Sequence, residues 1–267
     1  MATALPVDAR RSEPSSTRSR VSGPPPGTPA GIHFAGIRQV GTFFFDSESM
    51  GGNTSCTGSV VHTPTRDLVL TAGHCALALK DSALPIFVPK YKDRSSAADQ
   101  PYGIFPMKEE PYVDDRYTAN SKGADSDLDL AFVRVGPNDE GRLPEQAVGA
   151  LNFMPTTGYS HRVRVIGYPG KGTINPGHQP IYCDVTTSRA PRFHQMKMYC
   201  KGYFNGVSGG PWIENGTDII GSVGGYNGGG DDANDDWVTY APIYGYAAVS
   251  LFHRAIAGRT HALLARL

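Results

Sequence analysis

The sequence predicts an all-β, turn-rich protein closed by one C-terminal helix, and three observations carry that reading. Gly 32 and Pro 21 together make about a fifth of the 267 residues. That fraction favours short strands joined by many turns over long helices. From Ile32 onward, strand-like runs alternate with turns at residues 41–45, 57–61, 68–71, 130–135, 162–166, 219–223 and 237–240. Near the end, Ala247, Ala248, Leu251, Phe252, Ala255 and Ile256 recur at helical spacing, with polar residues between them.

The length is enough for one large or two small domains with a proper core. There are 25 basic and 25 acidic side chains, for a formal net charge of +0. A nucleic-acid or membrane-surface protein would normally carry a basic excess, so neither partner is expected. Hydrophobic residues are 39% and charged residues 19% of the chain, which excludes a highly charged, solvated, disordered chain. No apolar run reaches the roughly 18 residues a transmembrane helix requires.

Residues 1–30 are mostly Pro, Ser, Arg, Thr and Gly, with Gly-Pro-Pro-Pro-Gly at 23–27. Such a stretch cannot bury enough apolar surface to repay its ordering entropy. Residues 1–36 are therefore expected to be a disordered leader or propeptide-like segment. Arg10, Arg11, Arg18 and Arg20 in it are candidate processing sites or simply solubilising charges. The first seven residues lack a hydrophobic signal core, so either a secretion signal has already been removed, the preferred reading, or export is not of the Sec type.

The four cysteines, Cys56, Cys75, Cys183 and Cys200, include no C-x-x-C pair, which weakens zinc and thioredoxin-like readings. Two disulfides in an oxidising compartment account for them better, and secretion is expected. Four cysteines allow three pairings. The one joining Cys56 to Cys75 and Cys183 to Cys200 closes two short loops and is preferred.

Three segments carry chemistry together. Cys56-Thr-Gly-Ser-Val-Val precedes Leu70-Thr-Ala-Gly-His74-Cys75; Asp127-Leu-Asp129-Leu-Ala-Phe-Val-Arg-Val follows; Gly206-Val-Ser208-Gly-Gly-Pro211-Trp comes last. A strongly nucleophilic serine needs a base within hydrogen-bond reach and a carboxylate to orient that base. It also needs a glycine-rich backbone whose amides can turn toward a developing oxyanion. All three ingredients are present.

With these motifs the chain resembles the chymotrypsin-fold (trypsin-like) serine peptidases, and in the segments at 87–91, 100–103, 166–169 and 241–244 the secreted bacterial members. The resemblance covers roughly residues 35–257. It implies two six-stranded antiparallel β-barrels, residues 37–145 carrying His74 and Asp129 and residues 146–267 carrying Ser208 and the C-terminal helix. It implies Ser208 as nucleophile, His74 as base and Asp129 as the residue orienting it, with the amides of Gly206 and Ser208 as oxyanion hole. Asp127 is the fallback for Asp129. Cys56–Cys75 would pin the His74 loop, and Cys183–Cys200 would brace the segment before Ser208. No metal or cofactor is required, and a monomer acting on protein or peptide substrates is expected.

Trypsin-like members carry an acidic residue six positions before the nucleophile. Gly202 stands there, so simple trypsin specificity is not expected. Val223, Gly224, Gly225 and Tyr226 are the pocket-wall candidates. Tyr226 replaces a usually small residue and is expected to narrow or tilt the pocket. Val223 stands where glutamyl-specific relatives commonly carry histidine, which lowers a glutamate preference. The run at 228–236, with Asp231 and Asp236 at the ends of its acidic part, reads as a calcium loop, a pocket carboxylate or, preferably, a solvated turn. The competing functional reading is a catalytically silent or zymogen-locked homologue that binds peptides. Such proteins usually lack a triad member, and here none is missing.

Overall fold

The computed structural model describes residues 5–6, 23–47, 52–93, 95–170, 175–230 and 237–258. In chain order the first strands are β1 (Leu5–Pro6), β2 (Ile32–His33), β3 (Val40–Ser47), β4 (Gly52–Val60) and β5 (Leu68–Thr71). Helix α1 (Gly73–Lys80) comes next, then β6 (Ile86–Pro89), β7 (Phe105–Pro106), β8 (Tyr112–Val113) and β9 (Ala131–Arg134). One sheet runs β7-β6-β3-β4-β5-β9-β8, with β1 beside β4.

Helix α2 (Pro144–Val148) leads into the second half: β10 (Asn152–Phe153), β11 (Arg162–Gly167), β12 (Ile181–Thr186), β13 (Ser188–Arg189) and β14 (Gln195–Tyr199). The remaining elements are β15 (Pro211–Glu214), β16 (Asp218–Ser222), β17 (Val238–Pro242) and α3 (Tyr246–Ile256). They form a six-stranded sheet, β10-β16-β15-β11-β12-β2, and a three-stranded one, β13-β14-β17.

Side chains alternate across a strand, and that explains why several runs are continuously apolar. In β3, Phe43 and Phe45 enter a core inside the first sheet with Val69, Phe87 and Val133. Phe44, between them, joins the core that welds the two halves, where Leu68, Leu70 and Phe132 meet Phe153, Ile166, Ile213 and Tyr244. In β11 one face is wet: Arg162 and Arg164 are exposed, while Val163 and Val165 are buried against Met196, Met198 and Trp212.

The β class and the C-terminal helix agree with the sequence reading; the strand arrangement is less regular than two six-stranded antiparallel barrels. β1 with β4 and β10 with β16 are parallel pairs, and the second half divides into two sheets, the chain passing from one to the other at Thr187 between β12 and β13. Residues 23–36 are not a free leader. Ile32 and His33 pair with Tyr182 and Ile181, Gly31 N–H donates to Lys201 O at 2.8 Å, and Phe34 packs edge-on against Tyr182. Non-local strand pairing satisfies a backbone that composition alone left without partners. The basic residues at 10, 11, 18 and 20 and the acidic run 231–236 lie outside the described residues.

Sequence order groups helix α3 with the second barrel, yet it packs on the first sheet. Ala248, Leu251 and Ala255 form its buried stripe, and Phe252 lies 5.1 Å from the Phe132 ring. Arg134 of β9 anchors its far end. This guanidinium donates to Asp67 at 2.6 Å, to Glu109 at 2.9 Å and to Ala255 O at 2.6 Å, with only 7% of the residue exposed. Arg134→Met would leave Asp67, which is itself 6% exposed, as an uncompensated buried charge. Breaking such a pair costs about 3–5 kcal/mol. The expected result is a fall in melting temperature of roughly 10 °C, read by calorimetry, with α3 amides exchanging faster than those of β11.

Candidate active site

Strand pairing brings the site together. β5 and β9 run antiparallel with Thr71 opposite Ala131. The residues just after β5 and just before β9 therefore meet at one end of the sheet, and these are His74 and Asp129. His74 sits in the first turn of α1, on a helix rather than in the loop the sequence suggested; eight residues are too few to show a helical period. Cys75 beside it is bonded to Cys56 of β4, and Cys183 to Cys200, the preferred pairing.

Asp129 is fully buried and accepts from three N–H groups. His74 N–H donates to Oδ1 at 2.9 Å, His74 Nδ1 lies 2.9 Å from Oδ2, and Gly225 N–H donates to Oδ2 at 2.7 Å. Burial pushes the Asp129 carboxyl up, but the His74 charge and these hydrogen bonds outweigh it and hold the group below the ordinary carboxylate range. Two glycines permit the approach. A Cβ on Gly224 would lie 3.1 Å from Asp129 Oδ2, and one on Gly73 would lie 3.1 Å from Oδ1. Tyr117, buried against Gly73, faces the same carboxylate; burial and the Asp129 charge push its hydroxyl far above the usual tyrosine range. Asp127 turns elsewhere, accepting from Gln195 Nε2 at 2.9 Å and His194 N–H at 3.2 Å.

Ser208 lies in the turn before β15, between two left-handed glycines, Gly206 at φ +98 and Gly209 at φ +82. A Cβ on Gly206 would stand 2.7 Å from Gly170 N, so both conformation and crowding require glycine there. The turn docks on the first sheet through Thr57 N–H to Ser208 O at 2.8 Å and Thr57 Oγ1 to Gly206 O at 2.9 Å. Among the described residues, no acceptor takes the N–H of Gly206 or Ser208, and buried His74 Nε2 has no hydrogen-bond partner. Nε2 is thus not bonded to Ser208 Oγ; catalytic hydrogen bonds often tighten only with substrate in place.

The pocket candidates separate. Gly224 and Gly225 lie against Asp129, whereas Val223 is buried in the core with Trp212 and Met196. Tyr226 stacks on Phe193 at 5.4 Å and meets Tyr240 edge-on at 5.8 Å. Gly202, at φ +98, sits beside Ile181. Thr57, Tyr117 and Gln195 were not legible as site residues, because each touches the site only through partners far away in sequence. Among the described residues, no group of three or more His, Cys, Asp or Glu is placed to hold a metal, and no helix is long and apolar enough to cross a membrane.

Curled β sheets with a terminal helix are the architecture of the chymotrypsin-fold peptidases, and here they carry a glycine-turn serine docked on the first sheet and a buried imidazole–carboxylate pair. The chain belongs to the trypsin-like peptidase domain family, whose sequence model matches residues 56–221, more than half of its length. Among solved structures it is similar to the protease Anisep from Arthrobacter nicotinovorans, with a TM-score of 0.70 and 23% identity over 85% of this chain and 100% of that one. It is also similar to the thermostable serine protease AL20 from an extremophilic microorganism, at 0.68 and 21% over 83% and 98%. A Glu endopeptidase matches at 0.65 and 20% over 86% and 98%. No curated protein sequence matches at a significant level.

Thr57 ties the serine turn to both halves, since its Oγ1 also accepts from Tyr168 N–H at 2.9 Å. Thr57→Val keeps the shape and removes both bonds, leaving a buried donor and a buried acceptor unpaired. Turnover is expected to fall about 10- to 100-fold in steady-state peptide hydrolysis, with little change in the circular dichroism spectrum. A second expectation concerns acid. Asp114, Asp125, Asp129 and Asp184 are all held below the ordinary carboxylate range. Their depressed folded values contribute stability that is complete above the unfolded pKa of about 3.9 and is lost as pH falls through the folded values. Urea midpoints are therefore expected to decline below about pH 4.

Proposed function

We propose that this protein is a secreted serine endopeptidase in which Ser208, His74 and Asp129 act as a catalytic triad. The observation that supports the reading is the buried His74–Asp129 pair, whose other ring nitrogen Nε2 is left without a hydrogen-bond partner, while the Ser208 turn passes close to the start of the His74 helix, where a Cβ on Gly209 would stand 2.9 Å from Ala72 N. Ser208 Oγ attacks the scissile carbonyl carbon while its proton passes to His74 Nε2. Asp129 stays ionised, holds the proton on Nδ1 and stabilises the imidazolium. The tetrahedral oxyanion is met by the Gly206 and Ser208 amides, each such donor being worth about 3–4 kcal/mol. As the carbon–nitrogen bond breaks, His74 returns its proton to the leaving amine. Water then attacks the acyl-enzyme with His74 as base, releasing the acid and restoring Ser208. The two disulfides support an oxidising, extracellular setting.

The test is treatment with a fluorophosphonate, followed by intact mass and peptide mapping, alongside hydrolysis of an unfolded protein substrate. One adduct per chain on Ser208, absent from Ser208→Ala, and cleavage blocked by the label are expected. An unlabelled chain, or cleavage that survives in Ser208→Ala, would overturn the reading.

A further inference from the structure

Gln195 opens β14 with 0% exposure, and its amide is fully committed. Nε2 donates to Ser126 Oγ at 3.0 Å and to Asp127 Oδ1 at 2.9 Å, while Oε1 accepts from Tyr226 N–H at 2.9 Å. Those contacts join the two chain segments that flank Asp129. Ser126 and Asp127 belong to the 3₁₀ turn Ala124–Leu128, which delivers Asp129. Tyr226 follows Gly225, whose N–H donates to Asp129. Two successive amides of one extended turn are therefore held by two side chains, Gly225 N–H by Asp129 and Tyr226 N–H by Gln195. Gly225 has φ +89, and a Cβ there would stand 2.6 Å from Gln195 Oε1, so the backbone is shaped to admit this amide.

We propose that Gln195 is a positioning residue for the reaction: it locks the Asp129 turn and the Gly225–Tyr226 backbone in register, so that Gly225 N–H is aimed at the carboxylate that orients His74. This rests on the reading of Asp129 and His74 as parts of the triad. An amide fits where an acid does not. The site requires two donors toward Ser126 and Asp127 and one acceptor toward Tyr226, and glutamine has that pattern. A carboxylate at position 195 would set acceptor against acceptor at Asp127. Moving the amide to the other side of the pair restores complementarity. In the double variant Gln195→Glu with Asp127→Asn, the introduced asparagine donates to the introduced carboxylate while its oxygen still takes His194 N–H. Ser126 rotates its hydroxyl to donate, and the new carboxylate still accepts from Tyr226 N–H.

The experiment compares wild type, Gln195→Glu, Gln195→Met and the Gln195→Glu/Asp127→Asn pair. Active sites are counted by completing the fluorophosphonate reaction at Ser208, and peptide turnover is expressed per counted site. The expected result is a loss in kcat on the order of 100-fold for Gln195→Glu, with KM moving less, and recovery to within about fivefold of wild type in the pair. If Gln195→Glu alone does not fold, Gln195→Met takes its place, with a similar loss expected. A residue that merely supports the fold would lower the number of titratable sites and leave turnover per site unchanged. That result, or a pair no better than the single variant, overturns the proposal. A wild-type chain that takes no label at Ser208 overturns instead the peptidase reading beneath it, so the two failures are distinguishable.

Discussion

Ser208→Ala is expected to lower peptide turnover by about a million-fold, and His74→Ala by about as much, with the double variant no worse than either. The reason is that nucleophile and base form one device. Without the base, Oγ has no acceptor for its proton at the moment of attack; without Oγ, the imidazole has nothing to activate in the first step. Residual catalysis should come from the Gly206 and Ser208 amides and from substrate binding, roughly 10³- to 10⁴-fold above water. Stability should move little in Ser208→Ala, because the turn is held by backbone bonds from Thr57 and to Val223 rather than by the hydroxyl. The measurement is single-turnover hydrolysis of a fluorogenic peptide by the three variants. Losses that multiply in the double variant would show that the two residues act independently and would sink the triad.

Asp129→Asn is expected to cost on the order of 10⁴-fold in turnover, the loss that accompanies this substitution in triads of this type. The geometry explains why a change of one atom is so severe. Asp129 receives N–H groups from the His74 backbone, from the His74 ring and from Gly225, and carboxylate oxygens satisfy all three. An asparagine brings one oxygen and two N–H donors. If its oxygen keeps the His74 backbone bond, its amino group takes the place of Oδ2 and faces both the imidazole and Gly225 N–H, donor against donor. The imidazole then relaxes by placing its proton on Nε2, where it can no longer accept from Ser208. The fold should survive, since the loss of buried hydrogen bonds amounts to about 1–3 kcal/mol, so melting temperature should fall by roughly 5 °C. Turnover within tenfold of wild type in a folded Asp129→Asn would remove Asp129 from the reaction.

Both predictions start from residues that stand out in the chain itself. Thr-Ala-Gly-His-Cys and Gly-Val-Ser-Gly-Gly-Pro are local patterns whose chemistry is legible because neighbouring residues supply it: the glycines around Ser208 for the turn, Cys75 for the anchor beside His74. Strand texture and the helical stripe ending at Ile256 are legible for the same reason, since periods of two and of 3.6 residues are written over short windows. Even the disulfide pairing is the one preferred among three because it closes the shortest loops.

What lay outside those windows was decided by packing. Ile32 and His33 look like part of a polar leader until Ile181 and Tyr182 offer their edge. Helix α3 follows the second half in sequence but packs across to the first as well, because the Phe132 face and the Arg134 guanidinium lie there while Phe252 also meets Phe153. Thr57, Tyr117 and Gln195 carry no signature of a site, for their partners stand between roughly 10 and 150 residues away, and a buried polar atom takes whichever complementary group the folded core brings within 3 Å. The sequence by itself determined which groups can do chemistry and which local structures hold them. Tertiary structure alone decided what each group faces, because hydrogen-bond partnership depends on distances that only the closed core sets.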